Sequence, residues 1–237
     1  AASDVYKRQG FWDKDELVEI AEYIENRMIN IQLVGIGTNL GCYGSIAPTA
    51  EKLQELVDLA ERIEKKLDRE LEYISGGATS SLMRVWDKDI PKRINLLRVG
   101  EGILLARDLD VFYGYDVSEL YQDVFRLKAE VIEVKTKPSY PVGTIAVDAF
   151  GHTPEYVDRG MRKRVLLGMG KVDYGDPCEL IPLEEGIEVL GASSDHTIID
   201  VEDAERDYKI GDIMTFDVCY ATIVYLTNCR NVHIAFV

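Results

Sequence analysis

Apolar residues recur at helical spacing in two long stretches of the chain. Leu17, Ile20, Ala21, Ile24 and Met28 follow Asp13, a residue suited to capping, and predict a helix through about Met28. Leu53, Leu56, Val57, Ala60, Ile63 and Leu67 follow Pro48-Thr49 and predict a second helix with one inner face. Short apolar runs at 31–36, 71–75 and 95–99 read as strands, 80–86 as helical, and 102–108 as continuing the alternation. Strands separated by helices imply parallel pairing and right-handed crossovers. Near residue 111 the rhythm changes. Residues 125–134, 145–150, 164–169, 187–190, 197–201 and 213–218 alternate between apolar and polar, separated by Gly, Pro and Asp clusters, with 208–212 as a turn into a strand. That spacing predicts an antiparallel β domain. Residues 1–9 have neither period; they read as a translated adapter scar, which would make the natural protein longer. The expected division is therefore 1–9 scar, 10–110 β/α and 111–237 all-β.

Composition narrows the class. The chain has 237 residues, 46% of them hydrophobic, enough to bury a sizeable core. A formal charge of −15 argues against nucleic acid and anionic membrane surfaces, because phosphate-rich partners need a basic face. No apolar run reaches the roughly 18 residues of a membrane span, and no stretch reads as a signal peptide. Cys42, Cys178, Cys219 and Cys229 are scattered without paired spacing, which fits a reduced, cytoplasmic protein better than a disulfide scaffold or zinc site. His152, His196 and His233 are too dispersed for a histidine metal centre.

Two turns carry the chemistry. Ile74-Ser75-Gly76-Gly77-Ala78-Thr79-Ser80-Ser81 and Leu97-Arg98-Val99-Gly100-Glu101-Gly102 each end an apolar run and open into a helix-compatible stretch. Backbone amides and small hydroxyls at such a turn make a phosphate cradle. An arginine at the end of the next strand can reach the ring of a phosphorylated cofactor. Together they suggest a pyridoxal-phosphate site at the C-terminal rim of a β/α barrel.

The order of these parts resembles the fold-type III, or alanine racemase, family, and within it the ornithine racemase-like members. The matching text runs Val34-Gly35-Ile36-Gly37-Thr38-Asn39-Leu40-Gly41-Cys42-Tyr43-Gly44, then residues 74–82 and 97–101. It continues through Val147-Asp148-Ala149-Phe150-Gly151, Asp158-Arg159-Gly160-Met161-Arg162-Lys163-Arg164 and Leu190-Gly191-Ala192-Ser193-Ser194-Asp195-His196, covering about 10–227. The resemblance implies the C-terminal part of a (β/α)8 TIM barrel followed by an antiparallel β domain. It implies a pyridoxal 5'-phosphate-dependent amino-acid racemase that works as a homodimer on a small amino acid, ornithine or a similar basic one. It further implies Arg98 against the pyridine nitrogen, with Gly77, Thr79, Ser80, Gly100, Glu101 and Tyr220 around the phosphate and Thr38 and Asn39 facing the cofactor. Ser194 and Asp195 would lie in a loop that meets the substrate, a backbone amide holding its carboxylate.

The chain also departs from that family. The lysine that carries the cofactor lies at the end of the first barrel strand, before the matched region, and no lysine here has that context; Lys128, Lys135 and Lys171 fall in the β domain. The chain alone is therefore expected to be inactive. Phe150 falls nearest the tyrosine that serves as second base, and it cannot take a proton, leaving Asp148 and His152 as titratable candidates. Ala78-Thr79 stands where Asn-Ser is frequent. The alternative reading is a non-catalytic, cofactor-binding carrier protein of the same fold.

Overall fold

The computed structural model describes residues 10–41, 45–148 and 151–237. They form two compact units that divide between Leu120 and Tyr121.

The first unit is β/α. Helix α1 (Lys14–Arg27) starts where the Asp13 carboxylate accepts the N–H groups of Asp15 (2.7 Å) and Glu16 (3.1 Å), relieving two orphan donors. Strand β1 (Gly35–Gly37) leads to helix α2 (Ala50–Leu67), capped by the Thr49 hydroxyl on Lys52 N–H at 3.1 Å. Strand β2 (Tyr73–Ser75) pairs in parallel with β1, Ile36 opposite Ile74. The strand expected at 95–99 shrinks to a single parallel bridge from Leu96 to Ser75, which places it beyond β2. Leu53, Leu56, Val57, Ala60 and Ile63 of α2 pack with Ile36, Ile74, Leu17 and Ala21 into one core. The apolar run at 31–36 outlasts its pairing. Tyr73 N–H reaches Val34 O at 3.0 Å, whereas Ile31 and Val34 remain exposed. After β2 the chain makes a 3-10 turn at Thr79–Ser81 and the short helices α3 (Leu82–Trp86), α4 (Glu101–Leu104) and α5 (Asp108–Val111). Met83, Leu109 and Val117 form a second, small core there.

The second unit holds a six-stranded antiparallel sheet with strand order β5-β8-β3-β4-β7-β6. Its strands are β3 (Leu127–Pro138), β4 (Met161–Leu167), β5 (Ile181–Pro182), β6 (Glu188–Ala192), β7 (Thr197–Asp200) and β8 (Ile213–Asp217). Leu127, Ala129 and Val131 point inward and alternate with exposed Lys128 and Glu130, the period-2 pattern of a half-buried strand. Strand β3 pairs with β8 over 127–130 and with β4 from Val131 on, with a bulge between Val131 and Glu133. The unit also contains α6 (Lys171–Tyr174), a 3-10 turn at Pro177–Glu179 and α7 (Tyr220–Leu226). The strand expected at 145–150 is not formed over 145–148, whose backbone instead runs into a turn closed by Asp148 N–H on His152 O at 2.8 Å. The rest of that segment, with Phe150, lies outside the described residues. Among the described residues no helix is long and apolar enough to cross a membrane.

Candidate active site

Three strand ends of the first unit meet at Arg98. Its backbone N–H donates to Gly77 O at 2.8 Å, which fixes the end of the third strand against the turn after β2. Its guanidinium then reaches back across the strand ends. Nη2 donates to Thr38 O at 2.8 Å, and Nη1 donates to the Ser75 hydroxyl. Thr38 is buried and closes the cluster from the far side by donating its own N–H to Ser75 O at 2.9 Å. A guanidinium carries five N–H donors in a planar fork. Two are held by protein here and the residue remains exposed, so the others can meet a ligand. Arg98 forms no ion pair with Glu101 among the described residues. Glu101 is buried, and its Oε1 accepts the N–H groups of Arg107 (2.8 Å) and Asp108 (3.0 Å) at the start of α5.

The turn after β2 is built from small residues because it is crowded. Gly77 takes φ +124°, and a Cβ there would lie 2.6 Å from the Ser81 hydroxyl. Ser81, fully buried, donates to Gly76 O at 2.8 Å and pins the turn from within. Thr79 Oγ1 accepts Gly102 N–H at 3.0 Å, tying this turn to α4, and its own hydrogen stays available. Ser80 differs: its hydroxyl donates to Leu40 O at 3.0 Å, so it could give that hydrogen to a phosphate only by turning away. The backbone N–H groups of Thr79, Ser80, Gly100 and Glu101 donate to no acceptor among the described residues. Two sets of open amides joined by the Thr79–Gly102 bond, beside an exposed guanidinium, fit the phosphate and ring of pyridoxal phosphate. Asn39 follows Thr38, half-buried. Among the described residues of this unit, lysines lie on α1, on α2 and in the turn 87–93, away from the strand ends.

The second unit holds the other candidates. Tyr220 is the first residue of α7 and 58% exposed, outside the β core. Ser194 and Asp195 sit exposed in the hairpin between β6 and β7, the Ser194 hydroxyl donating to Asp195 Oδ2 at 2.6 Å. Asp195 also stands in the wall of a cavity of about 750 Å³ with Arg126, Lys128, Met169 and Leu226. Asp148 acts as a turn carboxylate, Oδ1 accepting His152 N–H at 2.8 Å, with His152 Nδ1 3.8 Å from Oδ2. Sequence reasoning overlooked Ser75 as the partner of Arg98 and the side-chain capping by Glu101. A serine closing a β run and a glutamate opening a helix were the available signals.

Comparison with known proteins shows what the chain resembles. The chain is 43% identical over 218 residues, 92% of its length, to an ornithine racemase of Acetoanaerobium sticklandii. It is 44% identical over 217 residues, also 92% of its length, to a lysine racemase of Thermotoga maritima. The chain is thus similar over nearly all its length to two amino-acid racemases. No protein-family model matches it. The fold agrees with a solved structure, the alanine racemase of Bartonella henselae with covalently bound pyridoxal phosphate. That structure superposes with a TM-score of 0.57 at 16% identity, over 97% of this chain and 60% of its own. The expected barrel-then-β-domain architecture is thereby established. The chain spans 60% and 59% of the lengths of the two racemases it matches.

Proposed function

We propose that the protein bearing this chain is a pyridoxal-phosphate-dependent racemase of ornithine or a similar basic amino acid. The observation that carries the reading is Arg98, fixed by Thr38 and Ser75 across three strand ends with donors to spare, in a chain whose relatives are ornithine and lysine racemases. Bound pyridoxal phosphate supplies an electron sink that acidifies the Cα–H of an attached amino acid. The chain's residues hold and orient. Arg98 would face the ring nitrogen and, keeping its own proton, would leave that nitrogen unprotonated. The amides of Thr79, Ser80, Gly100 and Glu101, the Thr79 hydroxyl and Tyr220 hold the phosphate, with Gly77 shaping the turn and Thr38 and Asn39 at its edge. Ser194 and Asp195 meet the substrate. Asp148 and His152, paired in their turn, are the groups proposed to carry the second proton. The protein would act in the cytoplasm as a dimer, each β domain completing the other subunit's site.

A non-catalytic carrier reading draws on one observation, the position of the described lysines on helices and turns of the first unit. Both readings predict that these 237 residues alone retain no borohydride-reducible cofactor after dialysis. They separate on the full-length protein, which should show the absorbance of lysine-bound cofactor and racemise ornithine or lysine. Two inactive full-length variants, one altered at Arg98 and one at Asp195, should regain partial activity when mixed, because one site of the mixed dimer holds both native groups. A full-length protein without racemase activity on any basic amino acid defeats the proposal.

A further inference from the structure

The hairpin 193–196 is held from below by the start of α6. Lys171 N–H donates to Ser193 O and Val172 N–H to Ser194 O, both at 3.0 Å. Within the hairpin, Ser193 N–H donates to His196 O at 2.8 Å, and the Ser193 hydroxyl accepts His196 N–H at 3.1 Å. The N–H groups of Ser194 and Asp195 at the tip donate to no acceptor among the described residues. A second tie runs through the core. The buried Thr197 hydroxyl donates to Met169 O at 2.8 Å, so the Tyr174 hydroxyl 2.7 Å away must be the donor to Thr197. Between these ties lies Gly170, whose own N–H is taken by the Asp173 carboxylate at 2.9 Å. A Cβ at Gly170 would stand 2.3 Å from Ser194 O and 2.5 Å from Asp195 N. Both are backbone atoms, which have no rotamer by which to move aside. Gly170 is extended, at φ −145°, so the constraint is one of space and not of backbone conformation.

We propose that Gly170 is a positioning residue for the amino-acid substrate. The missing Cβ sets how deeply the hairpin seats on α6, and so where the open N–H groups of Ser194 and Asp195 and the Asp195 carboxylate present themselves to the substrate's carboxylate and amine. The inference rests on the proposed racemase reading of that hairpin. It adds that the anion-binding geometry of the hairpin is set by a glycine that touches no ligand.

The test uses Gly170→Ala in the full-length protein, with Gly168→Ala as control, since a Cβ at Gly168 meets only the Ile132 side chain at an ordinary 3.4 Å. A displacement of about an ångström can cost up to about a hundredfold in rate. Gly170→Ala should raise KM for the amino acid about tenfold or more, with kcat falling less and the cofactor absorbance unchanged. Hydrogen exchange across 193–196 should quicken. Should Gly170→Ala fail to fold, Thr197→Val loosens the same hairpin by cutting its tie to Met169 and Tyr174, and the same rise in KM is expected. KM values matching Gly168→Ala in the variant tested overturn the proposal. Asp195→Ala separates the two layers: an unchanged KM there removes the substrate role of the hairpin. A raised KM there beside a native KM in Gly170→Ala removes only the role of Gly170.

Discussion

Replacing Arg162 by Met should destabilise the β unit by about 3–5 kcal/mol at neutral pH, the cost of stripping one partner from a buried ion pair. Asp200 is 1% exposed and ends β7, opposite Arg164 of β4. It accepts from Arg162 Nε and Nη2, each at 3.0 Å, and from Glu202 N–H at 3.1 Å, with Arg159 Nη2 3.7 Å away. Burial pushes the Asp200 carboxyl up, but the Arg162 hydrogen bonds, the Glu202 amide and the charges of Arg162 and Arg159 together hold it below its ordinary 3.8. The sign follows. In the native protein this stabilisation is present above the unfolded value and is lost as pH falls through the lower, folded one. Without Arg162, burial dominates and the carboxyl should take a proton at higher pH, so the damage should shrink on acidification from neutral. The double variant Arg162→Met, Asp200→Leu should lose less than Arg162→Met alone, because no buried charge is stranded. The assay is hydrogen exchange of β4 and β7 amides, since Trp12 and Trp86 both lie in the other unit and their fluorescence reports on it. A loss below about 1 kcal/mol, or one equal at pH 7 and pH 4, would refute the argument.

Arg98→Glu in the full-length enzyme should let the ring nitrogen protonate, giving a red-shifted spectrum during turnover and transamination side products; unchanged spectra and racemisation would remove Arg98 from the ring. Burial pushes the Tyr174 hydroxyl up to about 12. Its stabilisation is complete below the unfolded value of 10.0 and is lost as pH rises toward about 12. Tyr174→Phe should flatten the decline in β-unit stability across that window, and an identical slope in the variant would count against it.

The fold was legible where period and cap agree. Both long helices have an apolar stripe behind an Asp or Thr that accepts first-turn amides, and these local signals survive folding unchanged. The parallel strands were over-read because an apolar run states burial, whereas a strand also needs a partner. Gly35–Gly37 pairs along β2, whereas residues 31–34 form no strand and touch β2 through Val34 O. Helix α7 was hidden by composition: Tyr220, Thr222, Ile223, Val224 and Tyr225 favour strands. Its start is secured by Cys219 N–H on the Thr222 hydroxyl at 3.0 Å, and cysteine is no cap signal.

The same distinction governs the site. Asp148 and His152 could be named together because they are the titratable residues beside Phe150, and Asp148 Oδ1 accepts His152 N–H within that one stretch. Arg98 could be singled out because it ends a strand before a glycine, but its partners lie 23 and 60 positions away, at Ser75 and Thr38. Only the parallel stacking of three strands makes those ends neighbours, so each contact is a property of the sheet and not of any segment. Ser80 carries the lesson further. Its hydroxyl reads as a phosphate donor in sequence, yet the loop after β1 folds back and takes that hydrogen at Leu40 O. A residue's type fixes which bonds it can make, and the competing acceptors that topology delivers decide which it does make. For the phosphate turn this shifts the burden from the Ser80 side chain to backbone amides and the Thr79 hydroxyl. Ser80→Ala should accordingly weaken cofactor binding less than Thr79→Val in a titration of the full-length protein, and the reverse order would show that the Leu40 bond yields to the phosphate.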